Sequence, residues 1–351
     1  MHNASLRPLI YFQDIGGTRF LLPVINSLTK LLKKSEAIVM FHEKSSIFSQ
    51  ALSESLNNNF SYTSIKDFSI KEWKFILTGE NIGLVVCTMS SKYIDMTNCN
   101  LIAACNELDI QSIGFFDHWK GFDRLKDTDN RFSYMTSIVG VIDNYVKDGL
   151  INEGVSPERV KVVGHPLLET ISPKNYNNDP CEAIVISQPN IMDKSFNGIF
   201  NLPLFENKSF IDRLASIFSS QFTNLKLLYK SHPKENKATI IKADLFKESW
   251  EEINKSKKIF LGFDSMLLFE SYLFNHEVII LNFPEFKKYS DKSIPYDFGH
   301  SVKDFNDLEE CLFAIVSGEY KNQSNTFLYR EVISHSIDRS KNLIENTLLK
   351  Y

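Results

Sequence analysis

The sequence predicts an α/β protein of two parallel-sheet domains, and three observations carry that prediction. Short apolar runs alternate with longer amphipathic stretches, the succession of strand, crossover helix and strand that a parallel sheet requires. One polar, turn-rich segment interrupts the alternation, which then restarts. At 351 residues the chain also exceeds what a single core usually organises, and its 43% hydrophobic and 23% charged residues suit globular domains.

In the first half the spacing predicts strands at residues 9–12, 37–42, 83–88, 112–116, 138–142 and 160–163, with helical patterns between most of them. A charge-free stretch at 58–63 is a further strand candidate. After Pro166 the chain runs through Ser172, Pro173, Asn175, Asn177, Asn178, Asp179 and Pro180, which reads as a linker. Strands resume at 183–187, 225–230, 258–261 and 278–282, with helices near 210–222 and 265–274. The expected organisation is an N-terminal domain over 1–170, a linker over 171–181 and a C-terminal domain over 182–325. A helical segment over 326–351 is expected to pack back on the N-terminal domain.

A net charge of −4 offers no basic face for phosphate, so nucleic acid is not an expected partner. The cluster Lys30, Lys33, Lys34 beside Leu28, Leu31 and Leu32 reads either as a solvated helix end or as a contact with an anionic membrane surface. The longest apolar run, 82–87, is far below the roughly 20 residues that span a bilayer. No signal-peptide core opens the chain, so a cytoplasmic protein is expected, with peripheral contact at the inner membrane face as the further option. Cys87, Cys99, Cys105, Cys181 and Cys311 contain no CxxC pair and read as reduced core thiols.

Parallel sheets bind ligands beyond the carboxyl ends of their strands, so polar clusters directly after predicted strands are the candidates. Asp14-Ile15-Gly16-Gly17-Thr18-Arg19 follows the first strand; its glycines allow close backbone approach and Thr18 or free N–H groups could take an anion, unless it is only a strand-to-helix turn. Asp117-His118-Trp119-Lys120 follows the fifth strand and pairs a base with a flat ring for a sugar, the alternative being a helix cap and a core tryptophan. Gly164-His165-Pro166 ends a strand, because Pro cannot continue a ladder, and His165 is either a cleft residue or a satisfied loop histidine.

In the second half, Lys230-Ser231-His232-Pro233-Lys234 sets cationic and hydrogen-bonding groups where a phosphate would lie, or forms a basic surface turn. Gly262-Phe263-Asp264-Ser265 leads into a helix on which Ser265 sits at the N-cap and Glu270 five residues on, placed for phosphate and ribose hydroxyls respectively.

Together these residues resemble glycosyltransferases and sugar-nucleotide enzymes of the GT-B architecture, which implies two Rossmann-like domains with parallel sheets facing each other across a cleft. Val163-Gly164-His165-Pro166-Leu167-Leu168 resembles the end of the N-terminal domain in lipid A disaccharide synthase and UDP-N-acetylglucosamine 2-epimerase-like proteins. Lys230-Ser231-His232-Pro233 is similar to the His-Pro motif of bacterial sialyltransferases and ulosonic-acid transferases, which use CMP-sugars; this implies that His232 and Ser265 hold the nucleotide phosphate. The acidic motif of those families is matched only by Asp117, with His118 where a second acid is expected. Ile186-Ser187-Gln188-Pro189 resembles the first nucleotide-side loop of surface-polysaccharide transferases.

The expected activity is therefore a glycosyltransferase moving a sugar, of the CMP-linked nonulosonic or ulosonic acid kind, to a surface glycan or glycoconjugate. Ser187, Gln188, Lys230, His232, Pro233, Ser265 and Glu270 would hold the nucleotide. Asp14, Gly16, Gly17, Thr18, Trp119 and His165 would meet acceptor or sugar, with Asp117 or His118 as the catalytic base. No metal or other cofactor is expected, since Asp127-Thr128-Asp129 lies in a charged loop rather than at a strand end. A UDP-sugar 2-epimerase or hydrolase, a glycerophosphotransferase and a non-catalytic partner in glycan assembly are the alternatives.

Overall fold

The computed structural model describes residues 6–49, 64–90, 95–186, 208–230, 244–245, 250–263, 265–284, 294–320 and 329–349. The chain divides into two compact units, Met1–Thr170 with Thr326–Tyr351, and Ile171–Asn325.

In the first unit the order is β1 (Arg7–Phe12), α1 (Ile15–Ser27), α2 (Thr29–Lys34), β2 (Ile38–His42), β3 (Ser64–Ile65), α3 (Ile70–Gly79), β4 (Ile82–Thr88), α4 (Thr97–Leu108), β5 (Gln111–Phe116), β6 (Ile138–Val141), α5 (Asn144–Asn152), β7 (Val160–Val162) and α6 (Pro166–Glu169). All pairings are parallel, and the strands run β3-β2-β1-β4-β5-β6-β7 across the sheet. The central strands read as unbroken apolar runs because helices cover both faces of a parallel sheet. Leu9, Ile10, Tyr11 and Phe12 are accordingly all fully buried.

The second unit holds β8 (Glu182–Ile186), α7 (Lys208–Gln221), β9 (Lys226–Lys230), β10 (Asp244–Leu245), α8 (Trp250–Ile253), β11 (Ile259–Gly262), α9 (Met266–Leu273), β12 (Glu277–Leu281), β13 (His300–Val302) and α10 (Phe305–Val316). Its sheet, β10-β9-β8-β11-β12-β13, is parallel throughout. Both sheets thus repeat the doubly wound order 3-2-1-4-5-6, with a reversal between β1 and β4 and again between β8 and β11.

The last helix, α11 (Ser336–Leu348), belongs to the first unit. The Glu169 carboxylate accepts from His335 N at 3.1 Å, Ser336 Oγ at 2.8 Å and Ile337 N at 2.6 Å, satisfying donors that a helix start leaves open. Arg339 Nε donates to Val163 O at 3.1 Å. Gly164 lies at φ +86, and a Cβ there would collide with Ser336 and the Val332 carbonyl, so this turn requires glycine.

The candidate strand at 58–63 lies outside the described residues. β3, β10 and β13 are strands the sequence did not announce, because two or three residues are too few to show a period. Among the cysteines one correction is needed: Cys181 is exposed ahead of β8, while Cys87, Cys99, Cys105 and Cys311 are buried. In the basic cluster Leu28 and Leu32 are 1% exposed and face the core. Among the described residues no helix is long and apolar enough to cross a membrane.

Candidate functional site

Polar side chains gather at the carboxyl ends of β1, β4 and β5, beside the strand-order reversal of the first sheet. Asp14 caps α1: its Oδ1 accepts from Gly17 N at 2.7 Å, and its Oδ2 accepts from Ser90 Oγ at 2.5 Å. Gly17 is there for packing, since a Cβ would strike the Thr88 side chain. Gly16 stands between two acids, for the position of its missing Cβ lies 3.5 Å from Asp14 Oδ1 and 4.0 Å from Asp117 Oδ2.

Asp117 comes one residue after β5, with its side chain 12% exposed. Arg124 Nη1 lies 3.7 Å from Asp117 Oδ1 and donates to Met89 O at 3.2 Å; His118 Nε2 lies 3.9 Å from the same carboxylate oxygen and is more open to solvent. Burial first, and then the Asp14 charge, push the Asp117 carboxyl up to about 7, with Arg124 pulling the other way. A carboxyl poised there can give or take a proton near neutrality, which is what general acid–base chemistry needs.

Three of the residues expected to meet acceptor or sugar are buried. Trp119 is 1% exposed and gives its indole N–H to Asp143 Oδ2 at 2.5 Å, so its ring is core and has no face free for a sugar. Thr18 is fully buried, with its hydroxyl donating to Asp14 O at 2.6 Å, and serves the helix start. His165 is 2% exposed, edge-on to Phe20 at 4.6 Å, and burial pushes its imidazole down to about 3. A neutral ring in that setting is part of the core, although its Nδ1 has no hydrogen-bond partner among the described residues.

A buried network behind the acids is not signalled by the strand-end motifs. His42 Nε2 contacts Asp95 Oδ2 at 2.7 Å, and Lys44 N donates to His42 Nδ1 at 3.2 Å, which places the ring proton on Nε2 toward the carboxylate. Burial opposes the Asp95 charge, yet hydrogen bonding by Thr97 and His42 outweighs it and holds the carboxyl below its ordinary value. Gln13 links the pieces, donating to Asp95 O at 3.2 Å and accepting from Asn98 N at 2.6 Å, while Asn98 Oδ1 accepts from Ser90 N at 3.3 Å. His42 closes a predicted strand, and that position is the signal that could have found it. Ser90 follows the fourth strand in the short polar run Ser90-Ser91-Lys92, which has no acid or histidine beside the hydroxyl to single it out.

In the second unit Lys230 ends β9 beside Ile186, the last residue of β8. Ser265 caps α9 and accepts from Leu267 N at 3.2 Å, and Glu270 is buried on the same helix. Ser187, Gln188, His232 and Pro233 lie outside the described residues, as does Asp264. Among the described residues no group of three or more His, Cys, Asp or Glu is placed to hold a metal ion.

Two doubly wound units with polar groups at the carboxyl edges define the class: the fold is of the Rossmann-like, two-unit GT-B type. Solved structures share it along nearly the whole chain. The Staphylococcus aureus MnaA–UDP co-structure is 13% identical with a TM-score of 0.62, over 99% of this chain and 98% of that one. The Methanocaldococcus jannaschii UDP-GlcNAc 2-epimerase in complex with UDP-GlcNAc and UDP is 13% identical with a TM-score of 0.64, over 98% and 100%. The apo lipopolysaccharide outer core galactosyltransferase WaaB is 13% identical with a TM-score of 0.54, over 97% and 100%. No family model and no curated protein matches the sequence.

Proposed function

We propose that the protein is a sugar-nucleotide enzyme, acting on a UDP-linked sugar as an epimerase or hydrolase, with Asp117 as its acid–base group. The observation that carries this is Asp117 itself: a carboxyl at a strand's carboxyl end, beside a second acid and an arginine, titrating at about 7. The uridine nucleotide and the reaction class are favoured because structures of this fold were solved with UDP and UDP-GlcNAc. Proton removal from, or delivery to, a sugar carbon or hydroxyl is the step such a carboxyl can supply. Lys230, Ser265 and Glu270 are the proposed nucleotide contacts of the second unit, together with Ser187, Gln188, His232 and Pro233. No metal is required in this reading, so turnover should survive EDTA.

A second reading, sugar transfer to a glycan acceptor, draws on the fold shared with WaaB. One experiment separates them. Thermal unfolding with UDP, UDP-GlcNAc, CMP and a CMP-linked sialic acid identifies the ligand, since a ligand at 100 times its Kd stabilises by about 2.7 kcal/mol. NMR of the products then decides: an altered or free sugar formed without acceptor supports the epimerase or hydrolase, and turnover only with an acceptor supports transfer. Stabilisation by the CMP compounds alone would return the donor to the CMP-sugar class. Indifference to all four would remove the sugar-nucleotide reading.

A further inference from the structure

We propose that Asp14, whose two carboxyl oxygens accept from the Gly17 N–H and the Ser90 hydroxyl, is a positioning residue that keeps the site's proton on Asp117. This rests on reading Asp117 as the acid–base group, and it adds Asp14, Ser90 and Arg124 to the working parts of the site.

Both acids approach Gly16, in unlike surroundings. Asp14 Oδ1 and Asp117 Oδ2 both fall within 4.0 Å of the point where a Gly16 Cβ would stand. Each Asp14 oxygen accepts a hydrogen bond, from the first turn of α1 at 2.7 Å and from Ser90 at 2.5 Å, the arrangement of an ionised acceptor-only group at the positive end of a helix. Two neighbouring carboxyls in a half-closed site do not both ionise easily, so the one with fewer donors keeps the proton. The charged groups facing Asp117 include Asp14 from the start of α1, Arg124 from the turn Phe122–Leu125 at 3.7 Å, and His118 from its own loop at 3.9 Å. Asp14 favours the protonated form of Asp117 and Arg124 the ionised form. Ser90 has a further anchor, its N–H donating to Asn98 Oδ1, so the buried network behind the acids fixes the hydroxyl that fixes Asp14.

The test needs no substrate. Aspartate carboxyl carbons are labelled with 13C and titrated by NMR in the full chain, and the Asp117 resonance is assigned by its loss in Asp117→Asn. In Asp14→Asn, which keeps a good helix cap, the Asp117 midpoint should fall by about one pH unit or more. In Arg124→Gln it should rise. In Ser90→Ala part of the neutral-pH titration should pass to Asp14, and Ser90→Thr should restore the wild-type pattern. An Asp117 midpoint unmoved by Asp14→Asn overturns the proposal, because burial alone would then set it, and a wild-type proton residing on Asp14 overturns it equally. Should the titration shift as stated while no nucleotide sugar is turned over, the tuning stands and the enzymatic reading falls. Turnover whose pH profile is unchanged in Asp14→Asn has the reverse meaning.

Discussion

At the amino edge of the second sheet, buried Glu277 receives Lys257 Nζ at 2.7 Å and His300 Nε2 at 3.3 Å, and Lys258 pairs with Glu182. At the carboxyl edge of the first sheet, Asp117 is somewhat more open, the Arg124 guanidinium stands 3.7 Å away, and Asp14 also approaches Gly16. Burial raises both carboxyls. For Glu277 the bonds from His300 and Lys257 outweigh it and the group ends below its ordinary value, whereas Asp117 ends near 7. The two buried histidines, both pushed down to about 3, differ only in their hydrogen bonds. His276, pushed down to about 3 by burial and then Lys258, has Asn254 Oδ1 at 3.0 Å, Tyr176 Oη at 3.1 Å and the Lys258 N–H at 3.3 Å, while His165 leaves Nδ1 unpartnered among the described residues. Charge at the second edge is compensated by close partners; at the first the acid has no partner as close, the setting that the proposed acid–base role would use.

The largest expected effect breaks the poised edge. Asp117→Asn should lower turnover by roughly 100-fold or more with nucleotide affinity preserved, measured with the substrate that the thermal screen identifies. The same variant should be more stable than wild type at pH 8. The folded carboxyl titrates near 7 against an ordinary 3.8, so the wild type loses stability as pH rises between those values. At pH 4 the two should unfold alike, and denaturant midpoints at the two pH values check the sign.

The compensated edge should answer in stability alone. Glu277→Ala, which strands Lys257 and His300, should cost roughly 2–3 kcal/mol, under the range for a fully buried pair because Lys257 is partly open. Since the folded Glu277 titrates low, its contribution is present above about pH 4.5 and fades as pH falls through its folded value, so the gap between variant and wild type should close in acid. A large loss of turnover in a folded Glu277→Ala protein would contradict the division of labour. Smaller still, Trp119→Phe removes the hydrogen bond to Asp143 and should cost about 1–3 kcal/mol of stability with the Michaelis constant unchanged, as a core residue would. Lys34→Ala, at the solvated end of α2, should alter stability by less than about 0.5 kcal/mol and leave vesicle sedimentation as in wild type.

Much of the candidate site's location is legible in the amino-acid sequence. Asp14 and Asp117 stand out there because they follow buried strands, and the parallel fold puts every strand end of that kind on one edge. Trp119 and Thr18 mislead for the reason that makes them candidates: adjacency to a strand end says where a residue is along the chain, not whether its side chain turns outward or into the core. Ser90 and Asp95 escape notice because each acts through a partner distant in sequence, 76 residues away for Ser90 and Asp14 and 53 for His42 and Asp95.

By itself the sequence determined the class of fold and most of the succession of strands, because apolar periodicity and turn residues are local properties that the backbone obeys locally. Only the tertiary structure decided that Asp14 and Asp117 both approach Gly16, that Arg124 stands 3.7 Å from Asp117 and that Trp119 is core, because protonation and burial depend on which groups the folded chain brings within a few ångströms of one another.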